Sequence, residues 1–336
     1  MSENVIGLDI GGANLKAANA NGSACLWPFE LWKHPETLAD MLRELCDAFP
    51  DPIDRFAVTM TGELCDCFFT KRQGVTHILN AVETVADGRR VDVWTTDGVF
   101  VDLVAAHASP KKVAASNWHA LATFAAQHIA ANAILIDVGS TTTDVIPIEN
   151  RTVTATGRTD EERLVSKELV YTGVSRTPIC AIMGRDVMAE LFATSLDAYL
   201  VLADAEEDAT DTGTADGRPA TRVFARARLA RMLGGDIETI DEERTRLLAV
   251  SVAVRQRAMI VEALHTVFRR MTQQPDSVII SGSGEFLAQA AWVDFSAERD
   301  RETTDGVELI SLGERLGPEL SQTACAYALA VLGGER

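Results

Sequence analysis

Two short segments limit what this chain can fold into more than anything else in it. VIGLDIGGANLKAAN, residues 5–19, and ILIDVGSTTTDVIPI, residues 134–148, each read as a buried apolar strand ending in aspartate, a tight glycine-containing turn and a second strand. Asp9-Ile10-Gly11-Gly12 and Asp137-Val138-Gly139-Ser140 are two copies of one device. A hairpin this tight exposes backbone N–H groups that can cradle phosphate oxygens, and an aspartate at the strand end can hold a hydrated divalent cation. One such loop is weak evidence, but two, each opening a strand-and-helix half, read as a duplicated phosphate clamp.

The pattern around them supports two α/β halves. Residues 5–10, 15–20 and 25–31 read as a three-strand meander, followed by a helix over 36–49 that Pro50 and Pro52 stop. Strands at 56–60 and 91–95 alternate with helices at 75–86 and 116–129, as in a mixed or parallel sheet flanked by helices. The strand–turn–strand restarts after residue 131, so the spacing predicts a first domain over 1–131 and a second over 132–315. Helices are predicted over 187–203, 222–233 and 242–271, separated by an acidic loop-like stretch at 206–219, with a strand at 277–281 and an Ala-rich helix at 316–332.

A third piece joins the two loops. SVIISGSGEFLAQA, residues 277–290, is a buried strand, then Gly282-Ser283-Gly284, then an apolar-periodic helix. Glycines at such a junction let a ligand approach the backbone and put a helix N-terminus near its negative charge. First phosphate loop, second phosphate loop and late glycine turn, in this order, resemble the actin/hexokinase/Hsp70 ATPase superfamily. Within it, Gly11-Gly12-Ala13-Asn14-Leu15-Lys16, Thr59-Met60-Thr61-Gly62-Glu63, Ser116-Asn117-Trp118-His119-Ala120, the run Tyr171–Pro178 and the run Thr214–Pro219 resemble a narrower group. That group is the short hydantoinase/oxoprolinase-like proteins tied to tetrahydromethanopterin-linked one-carbon metabolism, and the resemblance spans nearly the whole chain.

The resemblance implies a two-domain α/β fold of the actin/hexokinase/Hsp70-like, or ribonuclease H-like, kind, with a cleft between the domains. It also implies that the C-terminal helix, 316–336, returns to complete the first domain. For activity it implies the ether-forming step of methanofuran-type cofactor biosynthesis. A furanmethyl diphosphate loses pyrophosphate to the phenol of γ-glutamyltyramine or a related tyramine.

Charge and cysteine content narrow the partners. The balance of 31 basic to 49 acidic residues gives a formal charge of −18, which repels nucleic acid but leaves a loop of oriented amides free to bind a small phosphorylated ligand. The 6 cysteines lack zinc-type spacing and read as reduced thiols; Cys65-Asp66-Cys67 is taken as a strand-edge coincidence. No apolar run approaches the roughly 18 residues needed to span a bilayer, and the N-terminus enters a strand without a basic leader. A cytoplasmic protein with small-molecule diphosphate and phenolic amine substrates is expected, without nucleic acid or membrane. A homo-oligomer is compatible with the sequence.

Individual residues carry unequal weight. Asp9 and Asp137 are the expected metal ligands and catalytic carboxylates, against the alternative of turn-capping aspartates. Strand alternation puts Asn14 and Lys16 on one face, where Lys16 is expected to neutralise a leaving phosphate and Asn14 to orient it, against the alternative of a solvent-facing strand edge. Gly11, Gly12, Gly139, Ser140 and Thr141 are expected to cradle phosphate, with Thr143 a strand residue; Gly282 and Gly284 would admit a base, a sugar or another flat group. Glu63 and Asp66 follow a buried strand, where carboxylates of open α/β sheets gather, and either could be the general base. His119 and Trp118 are read as packing residues, and Arg176 as a carboxylate or diphosphate ligand or a salt-bridge partner.

Mg²⁺ held through diphosphate is the expected cofactor. ATP fits the superfamily, but Gly-Gly-Ala-Asn lacks the hydroxyl of the Gly-Gly-Thr that many relatives carry. An ATP-dependent small-molecule kinase or a hydantoinase-type amide hydrolase is therefore the second reading. A nucleotide-switched binding protein is the third.

Overall fold

The computed structural model describes residues 3–299 and 306–336. The first sheet holds β1 (Val5–Ile10), β2 (Asn14–Asn19), β3 (Ala24–Pro28), β4 (Arg55–Met60), β5 (Arg90–Trp94) and β6 (Phe100–Val101), in the order β3-β2-β1-β4-β5-β6. β1, β2 and β3 form the antiparallel meander, and β1, β4 and β5 run parallel. Its helices are α1 (Leu38–Asp47), α2 (Lys71–Ala86), α3 (Leu103–Ala108), α4 (Pro110–Val113) and α5 (Asn117–His128).

The second sheet holds β7 (Ala133–Val138), β8 (Thr143–Glu149), β9 (Thr152–Val153), β10 (Leu169–Val170), β11 (Ser277–Ser281) and β12 (Glu308–Ser311). Its order is β10-β8-β7-β11-β12, with β9 on β8, and β7, β11 and β12 are parallel. In both sheets an antiparallel hairpin is followed by parallel strands on the far side of the first strand. That is the strand plan of the two-domain actin/hexokinase-like fold, executed twice. Between and after these strands come α6 (Asp160–Ser166), α7 (Ile179–Met183), α8 (Ser195–Leu202), α9 (Arg222–Met232), α10 (Glu242–Phe268), α11 (Glu285–Ala297), α12 (Leu312–Leu316), α13 (Pro318–Gln322) and α14 (Ala324–Gly334).

Period-two alternation explains what the central strands do. Ile6, Leu8 and Ile10 face one core with Leu42 of α1 and Leu79 of α2, while Val5 joins a second core with α5 and α14. Gly7 lies on the α14 side, where a Cβ would overlap the Ala326 carbonyl, so glycine is what lets the helix seat on the strand. In β7, Ile134, Ile136 and Val138 pack with α10 and α11, whereas Ala133 and Leu135 join the α5–α14 core. The same alternation puts Asp9 and Asp137 on the two sheet faces that look towards α5 and α14.

Two helices depart most from the sequence expectation. The helix predicted over 187–203 begins only at Ser195, because Thr194 forms a capping box with Asp197 and holds extended backbone. The helix predicted over 316–332 is broken: Gly317, at φ +86, separates α12 from α13, and Thr323 separates α13 from α14. The last helix does pack on β1, β2 and β4.

Candidate active site

Strand register builds the centre of the site. Asp9 at the end of β1 stands across from Lys16 on β2 and beside Thr59 on β4. Asp137 at the end of β7 stands across from Asp144 on β8 and beside Ser281 on β11. The turns match as well: Gly11 N–H donates to Asn14 O at 3.0 Å and Gly139 N–H to Thr142 O at 2.9 Å. The echo seen in sequence is therefore an echo in register, with lysine in the first half where the second has an aspartate.

The electrostatics join the halves. Asp9 is buried with Lys16 Nζ 3.7 Å from its carboxylate, and its Oδ1 has no hydrogen-bond partner. Burial raises Asp9 above the usual carboxylate range despite the lysine. Burial also works against the charge on Lys16, but Asp9 and Asp137 outweigh it and hold the ammonium on. Asp137 keeps some solvent contact yet is pushed up to about 6, first by desolvation, then by Asp144, with Asp9 adding and Lys16 opposing. Asp137 thus feels both the carboxylate and the ammonium of the other sheet. Cys325, at the start of α14, completes this centre; its thiol is pushed well up by burial and by the neighbouring aspartates.

Asp144 has another role. It forms a buried ion pair with Arg163 of α6, whose guanidinium lies 4.0 Å from the Trp118 ring centroid. Trp118 is core, as its sequence context suggested. His119 is also buried, with Nδ1 3.1 Å from Thr123 Oγ1, and burial and Arg158 lower it to about 4.

The second loop is braced from behind. Val174 N–H donates to Gly139 O, and Ser175 and Arg176 N–H both donate to Ser140 O. Gly173 lies so close to Gly139 and Thr141 that no side chain fits. Ser140 and Thr141 remain partly exposed at the turn, while Thr143 is a buried strand residue bonded to Thr172 O. Gly282, at φ +88, and Gly284 pack against Val138; a Cβ on Gly282 would come within 2.8 Å of Asp137 Oδ1. This glycine pair keeps β11 and α11 close to β7. On the first loop, Gly12 abuts Cys65 and its carbonyl accepts from Leu31 N–H at 2.9 Å.

Glu63 forms a separate centre. It is 1% exposed, its Oε2 has no hydrogen-bond partner, and Lys71 Nζ of α2 is 3.5 Å from Oε1. Desolvation pushes it up to about 7 against the pull of Lys71. Lys71 also reaches Asp160 of α6 at 3.3 Å, so it ties the two halves together. Asp66 is exposed. Sequence reasoning missed Lys71, Asp144, Arg163 and Cys325. The only available signal was Asp144, a charge set directly against the apolar run 145–148 of β8.

The predicted residues therefore fall into three groups: Asp9, Lys16 and Asp137 with the turns that follow each aspartate (Gly11, Gly12 and Asn14; Gly139, Ser140 and Thr141); the glycines Gly282 and Gly284 behind Asp137; and Glu63, whose partner Lys71 lies outside the predicted set. Two open surface depressions, one beside Gln73 and His77 and one beside Phe100 and Arg336, are lined by none of them. Among the described residues, no helix is long and apolar enough to cross a membrane.

Residues 54–299 match the hydantoinase/oxoprolinase family. The chain belongs to that family. A Methanocaldococcus jannaschii protein is 32% identical over 98% of this chain and 97% of its own length; it is the (4-{4-[2-(gamma-L-glutamylamino)ethyl]phenoxymethyl}furan-2-yl)methanamine synthase. A Methanococcus vannielii protein of the same name is 29% identical over 63% of this chain and 95% of its own. Among solved structures, component A of the Acidaminococcus fermentans (R)-2-hydroxyglutaryl-CoA dehydratase aligns over 100% of both chains at a TM-score of 0.47 and 13% identity, too remote for any inference about activity.

Proposed function

We propose that this hydantoinase/oxoprolinase-family chain is a transferase that forms an aryl ether in methanofuran-type cofactor biosynthesis. It joins an (aminomethyl)furanmethyl diphosphate to the phenol of γ-glutamyltyramine or a related tyramine. The observation that carries the reading is the end-to-end likeness to the M. jannaschii synthase, whose name specifies a phenoxymethylfuran product. The paired loops around Asp9, Lys16 and Asp137 supply what the leaving group requires.

In this reading residues 1–131 with 316–336 form one domain and 132–315 the other, and the substrates bind between them. The packing of α14 on β1, β2 and β4 supports that division. Backbone N–H groups of the Gly11–Gly12 and Gly139–Ser140 turns, with Ser140 and Thr141 hydroxyls, take the diphosphate oxygens. The bond from the furanmethyl carbon to the diphosphate breaks with its electron pair leaving on oxygen, and Lys16 and Asn14 stabilise that growing charge. The phenol oxygen supplies the pair for the new C–O bond, and its proton passes to Glu63. A carboxylate held near pH 7 suits that task, since a phenol of pKa about 10 needs a base at neutral pH.

The donor set fits a hard, hydrated divalent cation: two carboxylates at equivalent strand ends of the two sheets, one with an unpartnered buried oxygen. Asp9 and Asp137 would hold Mg²⁺ through water and diphosphate oxygens. When bound, Mg²⁺ would neutralise diphosphate charge. ATP has no part in this scheme.

The test is to incubate purified protein with the furanmethyl diphosphate and the phenolic amine, and to follow pyrophosphate and ether product, with and without a chelator. Pyrophosphate release matched by ether formation, lost in chelator and restored by Mg²⁺, is the expected result. Acceptor-dependent conversion of ATP to ADP would replace this reading with a kinase.

A further inference from the structure

The mouth of the site carries a cation that the proposed chemistry has not used. Arg176 follows the Gly173–Ser175 segment that braces the second loop, and its own N–H donates to Ser140 O at 2.9 Å. Its guanidinium lies 5.2 Å from the ring centroid of Trp32, which comes from the first half of the chain. Trp32 follows Leu31, whose N–H is bonded to the Gly12 carbonyl, so this contact joins the rims of the two loops. Cys65, in van der Waals reach of Gly12, has its thiol pushed up to about 11, chiefly by burial, with the Arg176 guanidinium pulling the other way. Among the described residues Arg176 forms no ion pair, while Arg158 and Arg163 of the same half are both engaged by protein partners. In a chain with a formal charge of −18, an exposed guanidinium without a carboxylate, oriented by an aromatic face, is placed for an anion brought by a ligand.

Which anion follows from where the two cations sit. Lys16 lies at the strand ends beside Asp9 and Asp137, and Arg176 lies at the rim. In the product named for the M. jannaschii relative, the glutamyl-bearing arm stands at ring position 4, opposite the ether oxygen. With the reacting oxygen at the floor, the arm runs outward to the rim. Leu64, beside Cys65, and Tyr171, beside the Thr172–Gly173 brace, are 64% and 62% exposed, so both loops carry apolar surface open to a ligand. We propose that Arg176, seated on Trp32, binds the carboxylate on the tail of the aromatic acceptor and so selects acceptors that carry one. This rests on the ether-forming reading.

The experiment compares γ-glutamyltyramine with its α-carboxamide, which removes the charge and keeps the shape, in the wild type, Arg176→Gln and Arg176→Lys. The wild type should prefer the acid in kcat/KM by about 10- to 100-fold, the factor that one hydrogen bond to a charged group supplies. R176Q should lose most of that preference, mainly through KM, with R176K intermediate. A wild type indifferent to the amide, or an R176Q variant that loses both acceptors equally, overturns the assignment, and the guanidinium would then serve the diphosphate or neither substrate. Calorimetric titration of both acceptors into the three proteins reads the same preference without turnover. Acid-selective binding without ether formation would refute the proposed reaction and leave the carboxylate site standing. Neither binding nor turnover would overturn both.

Discussion

Replacing Glu63 by glutamine removes a charge that the fold holds in an unfavourable place. The carboxyl is raised from its ordinary 4.5 to about 7, with desolvation as the main cause and Lys71 only partly offsetting it. A raised carboxylate binds its proton more tightly in the folded chain than in the unfolded one, so stability falls as pH rises from 4.5 to about 7 and is then level. At about 1.36 kcal/mol per pH unit, the ionised form costs about 3 kcal/mol of stability above pH 7. Below pH 4.5 both states are protonated and the cost vanishes; at pH 5 it is less than about 1 kcal/mol. Glu63→Gln should therefore stabilise the protein by about 2–3 kcal/mol at pH 8 and by little at pH 5. Urea unfolding of both proteins at the two pH values, read as the shift in midpoint at constant slope, measures this directly. The same variant should lose most ether-forming activity, because glutamine cannot take the phenol proton. The reasoning is refuted if the variant is destabilised at pH 8, or if its effect is the same at both pH values.

Other perturbations test other parts of the site. Lys16→Ala should lower kcat and kcat/KM for pyrophosphate release together, by roughly 10²–10³, because the lost charge acts mainly in the transition state; a change in KM alone would place Lys16 in substrate binding only. Arg163→Met leaves the buried Asp144 uncompensated and strips the cation from Trp118, and should cost about 3–5 kcal/mol in denaturant unfolding. Adding Asp144→Asn to that variant should recover a large share of the loss; no recovery would mean that the pair contributes through packing alone.

Much of the fold was legible because the informative residues are local and repeated. Asp9 and Asp137 each end an apolar run and precede a glycine turn, and strand alternation then dictates which face they share. What sequence could not supply were pairings across distance. Asp144 looks like one more polar residue after a run of threonines until Arg163 is found beneath it. Lys71 begins a helix whose predicted start lay at residue 75, and nothing local says that its ammonium meets Glu63 and Asp160. The late start of α8 has a similar cause. Residues 187–193, apolar except for Glu190, fit a helical pattern, but Thr194 and Asp197 cap the helix, and Asp197 pairs with the buried Arg228. Gly282 and Gly284 were legible as close-approach positions, although what approaches them is the chain's own β7.

The seating of α14 on β1 also has a consequence for how the chain comes off the ribosome. β1 emerges early, yet the row that Val5 and Gly7 present is covered by residues 324–334. At about 5–20 residues per second, that sheet face waits on the order of tens of seconds for its partner. The first half therefore cannot close its core until α14 has been made, more than 300 residues after the strand it covers.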